Sequence, residues 1–192
     1  MPAGEGAATD AVYAEQDSRR KKIKELIDQL KSPYLDTRWR AAESLGIVGD
    51  QTTVEPLINA LHDPYVDVAW LAAKSLGSIG DARAFEPLLQ GLKSPEKWLR
   101  VGSAIGLGRL GDRRGVEPLI AVLKDVKRQV RQFAAWALGN IGDKRALGPL
   151  SELLQDTEAS VREAAALAIR IIHQKAGEPD PHQASGEANP DQ

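Results

Sequence analysis

The amino-acid sequence predicts an all-α solenoid of five stacked helix pairs, and three observations carry that prediction. The dipeptide Gly-Asp recurs at Gly49-Asp50, Gly80-Asp81, Gly111-Asp112 and Gly142-Asp143, each 31 residues after the last. Other columns keep the same register: Pro56, Pro87, Pro118 and Pro149, followed directly by Leu57, Leu88, Leu119 and Leu150, and preceded by Leu45, Leu76, Leu107 and Leu138. Within a unit, apolar residues fall at i, i+3, i+4 and i+7, the spacing that lines one face of a helix. A fixed period of this length marks stacked supersecondary units that cannot bury their apolar stripes alone.

The elements follow in order. Running the register backwards starts the first unit near Arg20, and running it forwards ends the fifth near Gln174. The first helix of the second unit places Val54, Leu57, Ile58 and Leu61 on one face. The same columns hold Phe85, Leu88, Leu89 and Leu92, then Val116, Leu119, Ile120 and Leu123. The proline falls in the first turn, where its missing N–H costs little. The aspartate of Gly-Asp stands where it can accept orphan N–H groups at the helix start. A turn, often with proline (Ser32-Pro33, Asp63-Pro64, Ser94-Pro95), separates the two helices. The second helix carries Val68, Ala72, Leu76 and Ile79 as its core stripe, with Gly80 as its stop. In the first unit, Ile23, Leu26, Ile27 and Leu30 form the stripe, behind the basic run Arg19, Arg20, Lys21, Lys22, Lys24. That run is expected to be a soluble end cap, with an anionic partner as the alternative. The solenoid is expected over residues 19–175, with disordered tails at 1–18 and 176–192, which are polar and rich in glycine and proline.

Composition narrows the function classes. Of 192 residues, 42% are hydrophobic, enough to bury a core. There is no cysteine, hence no disulfide framework and no thiolate chemistry. The net charge of −2 advertises neither nucleic acid nor acidic lipid. No apolar run approaches the ~18 residues that span a bilayer, and the start of the chain lacks the pattern of a secretory signal. A cytoplasmic protein with no membrane partner is expected.

With the unit laid out, the chain resembles the HEAT repeat, in the short form of phycobilisome-lyase-type HEAT-like proteins, over about residues 20–174. The marks are Val130-Arg131 and Val161-Arg162 at the start of second helices, then Ala134-Ala135, Leu138-Gly139, Ile141-Gly142-Asp143 and Pro149-Leu150. Arg38, Arg100, Arg131 and Arg162 fill an arginine column that Ala69 interrupts. The resemblance implies a curved solenoid whose concave surface is lined by one face of the second helices. It does not imply a single function, because such folds host many.

That face can be assigned by register. The columns beginning at Thr37, Ala41 and Leu45 stay apolar or small and form one stripe. Those beginning at Asp36, Trp39, Arg40, Glu43 and Ile47 vary and cluster ~150° away around the helix. Their occupants include Trp39, Arg40, Trp70, Leu71, Lys74, Trp98, Val101, Ile105, Arg109, Gln132, Phe133, Trp136 and Asn140, among them all four tryptophans. Trp39 and Trp70 share a column and should stand ~10 Å apart, one helix spacing. Aromatics interleaved with arginine and amides have the composition of interaction hot spots, so these residues are expected to bind a partner. The alternative is internal packing of the rings between neighbouring helices.

Other constellations point to no chemistry. His62, His173 and His182 have no repeating partner at metal-ligand spacing, and no His-Glu pair occurs, so no metal is expected. The glycines of Gly106-Leu107-Gly108-Arg109-Leu110-Gly111 lie in a helix with no strand before them, which argues for close helix approach over a phosphate loop. Arg83, Arg114 and Arg145 form a line after each Gly-Asp that could track a phosphate backbone. Asp81, Asp112 and Asp143 stand beside them, so a neutralised edge is preferred. No nucleophile–base pair, paired acids or cofactor site converges. The sequence therefore predicts a non-enzymatic scaffold, without catalytic residues or cofactor, holding a protein partner on its concave aromatic face. The resemblance offers as alternative a bilin lyase subunit or another tetrapyrrole-handling protein. A nucleic-acid-binding role stands third, disfavoured by net charge.

Overall fold

The computed structural model describes residues 5–177, with side chains from residue 13 onward. It contains ten α-helices and no strand among these residues. They pair as α1 (Glu5–Gln29) with α2 (Leu35–Val48), α3 (Val54–Ala60) with α4 (Val66–Ile79), and α5 (Phe85–Gly91) with α6 (Lys97–Leu110). The last pairs are α7 (Val116–Val122) with α8 (Arg128–Ile141) and α9 (Leu147–Leu153) with α10 (Ala159–Ala176). The expected five repeats and their period are therefore present. No described helix is long and apolar enough to cross a membrane.

Local chemistry sets the helix ends. Asp50, Asp81, Asp112 and Asp143 each accept the backbone N–H two residues on, opening a single 3-10 turn that leads into the short first helix. Gly80, Gly111 and Gly142 sit in the left-handed region at φ 75°, 71° and 77°. Each donates its N–H to the carbonyl four residues back, closing the second helix with a residue that carries no Cβ penalty.

The periodic leucines form the core. Leu45, Leu76, Leu107 and Leu138 from second helices meet Leu57, Leu88, Leu119 and Leu150 from first helices, all essentially without solvent exposure. Buried residues from Leu26 to Ile172 join in one continuous cluster. Second helices also pack side by side, α2 on α4, α4 on α6, α6 on α8 and α8 on α10, and more extensively than first helices pack on one another. The second helices are therefore the more closely spaced layer, and a stack with unequal layers curves toward the tighter one. Small residues permit that spacing: a Cβ built on Gly77 would stand 2.5 Å from the Gly106 backbone, and one on Gly139 2.8 Å from Ala168 Cα.

The arginine column has a structural answer. Arg38 pairs with Asp63 (2.7 Å), Arg100 with Asp125 (2.8 Å) and Arg131 with Asp156 (2.7 Å), each partner 25 residues on, in the inter-helix turn of the next repeat. The same guanidinium groups donate to a turn carbonyl of their own repeat, at Ser32, Ser94 and Asp125. Each aspartate in turn accepts an N–H at the start of its second helix, from Tyr65, Lys127 and Glu158. One arginine thus clamps its own turn and staples the next unit. Where Ala69 interrupts the column, Ser94 stands in place of the partner aspartate, so the rung is missing on both sides and no lone charge is buried there.

Two expectations about the tails need revision. Helix α1 begins at Glu5, so residues 5–18 are helical and not a disordered tail. Ala7, Ala8, Ala11 and Ala14 amid Glu, Gln and Arg are strong helix formers, and this propensity outweighs the lack of an apolar stripe. Residues 13–22 remain exposed along that helix. At the other end, Ala176 completes α10, and the rest of the tail expected at 176–192 lies, beyond Gly177, outside the described residues.

Candidate functional site

The face assigned by register lies on the second helices, opposite the stripe they bury against first helices. Its occupants are not equally available. Arg40 and Arg109 are exposed, Trp98 is 39% exposed, and Trp39, Trp70, Lys74, Gln132, Phe133, Trp136 and Asn140 are half-buried. Leu71, Val101 and Ile105, expected on the binding surface, are buried instead. The close helix spacing explains them: these positions point toward the adjacent second helix, where Val101 and Ile105 join Val130 in a small core under Trp70, Phe133 and Trp136. Trp70 is packed over the α4–α6 contact, its Cδ1 2.9 Å from where a Gly102 Cβ would be, and its indole Nε1 is enclosed without a hydrogen-bond partner. The rings are thus both wall and surface of a second, inner apolar layer.

Two tryptophans carry a cation from their own chain. Lys74 Nζ sits 4.4 Å from the centre of the Trp70 ring, and Lys97 Nζ 4.4 Å from that of Trp98. Arg109 reaches the preceding repeat, donating to Ser78 Oγ (2.6 Å) and to the Lys74 carbonyl (3.3 Å).

Between α8 and α10 the inner layer opens into a cavity of about 250 Å³, lined by Gln132, Phe133 and Trp136 on one side and Ser160, Glu163, Ala164, Leu167, Ala168 and Ile171 on the other. Leu167 is 44% exposed at its edge. The α10 side was missing from the expected site, although its signal was present. Ser160, Glu163, Ala164, Leu167 and Ile171 occupy, in the fifth repeat, the columns that begin at Asp36, Trp39, Arg40, Glu43 and Ile47. At the other end of the same face, Leu35, Asp36, Trp39, Arg40 and Asp67 line a second hollow.

The basic edge is neutralised. Arg83, Arg114 and Arg145 each fold onto the aspartate two residues before them, at 2.9, 2.6 and 2.9 Å. Arg83 and Arg145 also bond a carbonyl of the preceding repeat, at Gln51 and Arg113. These side-chain hydrogen bonds hold the Asp81 and Asp143 carboxyls down to about 2. No group of three or more potential ligands is placed to hold a metal among the described residues. Gly106 and Gly108 stand against Ala73 and Ala137 of neighbouring helices, in close packing.

Comparison with known proteins fits this architecture. The family model for HEAT repeats matches residues 23–100 and 85–170. Among solved structures, the complex of CpcE and CpcF of phycocyanin lyase from Nostoc sp. PCC7120 aligns at 28% identity and a TM-score of 0.70. The match covers 81% of this chain and 66% of that one, so the chain spans slightly under two thirds of its neighbour's length. An engineered protein aligns at 23% identity and TM-score 0.60, covering 88% of this chain and 85% of that one. A designed armadillo repeat protein in complex with peptide (KR)4 aligns at 20% and 0.57, covering 86% and 92%. The last two likenesses show the fold alone. No curated protein matches the chain.

Proposed function

The chain belongs to the HEAT-repeat family, and from that premise we propose that it is a non-enzymatic scaffold whose inner face holds a protein partner. The observation that carries the reading is the cavity between α8 and α10. Its walls are the aromatic rings of Phe133 and Trp136 and the half-exposed Leu167, set in a helical frame whose periodic leucines, such as Leu138 and Leu150, are completely buried. A large apolar side chain left at the surface beside an apolar hollow is what a binding face requires, and aromatic residues there act as anchors.

A second reading has one observation in its favour. The likeness to the phycocyanin lyase complex suggests a role in handling a bilin, with the aromatic face against the chromophore. The size of the cavity favours a protein side chain. At about 250 Å³ it is smaller than the ~300–1,000 Å³ of typical small-molecule pockets, and a tetrapyrrole is a large ligand. Visible absorbance retained after incubation with a bilin and gel filtration would shift the balance to that second reading.

The test of the first is affinity capture from an extract of the native host. Leu167→Arg puts a positive charge at the edge of the cavity on a side chain that is already half-exposed, so the fold should survive. Ala121→Arg does the same on the exposed side of α7, away from the inner face. The partner should be lost with Leu167→Arg and retained with Ala121→Arg. Equal retention by both proteins contradicts the proposal.

A further inference from the structure

The cavity between α8 and α10 is apolar in its depth and acidic at its rim. Trp136 and Phe133 form one wall and Leu167 and Ile171 the other, while Glu163, an exposed residue, is the one charged group among the described residues of the lining. Asp63, Asp125 and Asp156 are each held by an arginine, whereas Glu163 has no ion-pair partner among the described residues.

The four tryptophans divide in the same way. Trp70 and Trp98 already hold Lys74 and Lys97 over their faces. Among the described residues no cation stands over Trp136 or Trp39, and both share their hollows with carboxylates: Glu163 beside Trp136, and Asp36 and Asp67, with Arg40, beside Trp39. A ring face and a carboxylate both attract positive charge.

Resting on the reading that the inner face binds a protein, we propose that the α8–α10 cavity takes an arginine or lysine side chain of that partner. Its aliphatic stem lies on Phe133 and Leu167, and its cation meets the Trp136 ring and the Glu163 carboxylate. A purely apolar side chain would fill the depth but crowd water away from an unpaired carboxylate at the rim, which costs free energy with nothing in return. Arginine and lysine are amphipathic in the matching sense, with an apolar stem and a charged tip. The Trp39 hollow repeats the chemistry three helix spacings away, ~30 Å at ~10 Å each. An extended segment covers that span in about nine residues. Lys74 and Lys97 stand between the two hollows and repel further cations, so the surface favours a partner whose positive charges are spaced and not continuous.

The experiment uses the full chain labelled with ¹⁵N, whose four indole N–H resonances are assigned by single Trp→Phe replacements. The probes are N-acetyl-arginine methylamide and its uncharged counterpart, N-acetyl-norleucine methylamide. The arginine probe should move the Trp136 and Trp39 resonances and leave that of Trp70, whose N–H is enclosed. Glu163→Gln should abolish the response of Trp136 and keep that of Trp39, which also serves as the check that the variant is folded. An equal response to norleucine, an undiminished Trp136 response in Glu163→Gln, or no response to either probe overturns the proposal. The underlying reading fails separately. If Leu167→Arg abolishes partner capture while the two probes act alike, the face binds and only the cationic occupant is wrong. If Leu167→Arg leaves capture intact, the face itself is not the binding surface.

Discussion

Arg100 shows what a single column can do. Its guanidinium bonds the Ser94 carbonyl behind it and the Asp125 carboxylate ahead, both side chains being about nine-tenths buried. Removing one partner of such a pair leaves an uncompensated charge, so Arg100→Leu should destabilise the protein by ~2–3 kcal/mol, slightly below the range for fully buried pairs. Burial pushes the Asp125 carboxyl up, but the hydrogen bond from Arg100, the Lys127 N–H and the nearby arginine charges outweigh it and hold the group below its ordinary value. A carboxyl lowered in the folded state contributes stability that is fully present above the unfolded pKa of ~4 and is lost as pH falls through the folded value. With Asp81 and Asp143 at about 2, thermal melts should be flat from neutral pH to ~5 and fall steeply between ~4 and ~2. The deficit of Arg100→Leu should shrink over the same window; a deficit independent of pH would show that the pair is not its cause. The arginine column was legible in the sequence, but its role was not. The partner lies 25 residues on and meets the arginine only once two repeats have stacked, so no local pattern within one unit reveals it.

At the scale of elements, the glycines divide by what surrounds them. Gly77 lies in α4 against the Gly106 backbone, where a Cβ would come within 2.5 Å. Gly148 lies in α9 with nothing within 4 Å of a Cβ. Helix propensity favours alanine over glycine by up to ~1 kcal/mol at either site. Gly148→Ala should therefore stabilise by ~0.5 kcal/mol, while Gly77→Ala should destabilise by ~1–3 kcal/mol because the α4–α6 contact must open. Chemical denaturation of the two variants checks both signs, and stabilisation by Gly77→Ala would show that the helices do not meet there. Helix pairs, their caps and the close-approach column were all legible, since each leaves a fixed residue type every 31 positions. The start of α1 was not. Residues 5–18 have no apolar stripe, and their helical state rests on alanine-rich propensity, a weaker signal than periodicity.

For the whole molecule, the repeat register identified the inner face, and stacking decided which of its residues stay available. Leu71, Val101 and Ile105 share columns with surface residues in other repeats, yet the close second-helix spacing covers them. Burial between repeats depends on which neighbour stands opposite, and a column read in isolation carries no such information. The same register extended to α10 yields Glu163 and Leu167, which line the cavity. The central claim, that the inner face holds a protein, is tested most directly by site-specific photo-crosslinking in extracts of the native host. A photoreactive side chain is placed at position 98 or 167 on the inner face, or at 121 or 148 on the first helices, all four exposed. A discrete partner adduct from positions 98 and 167, absent from 121 and 148, is the result predicted here. Adducts that form from 121 or 148 and not from the inner positions would contradict it.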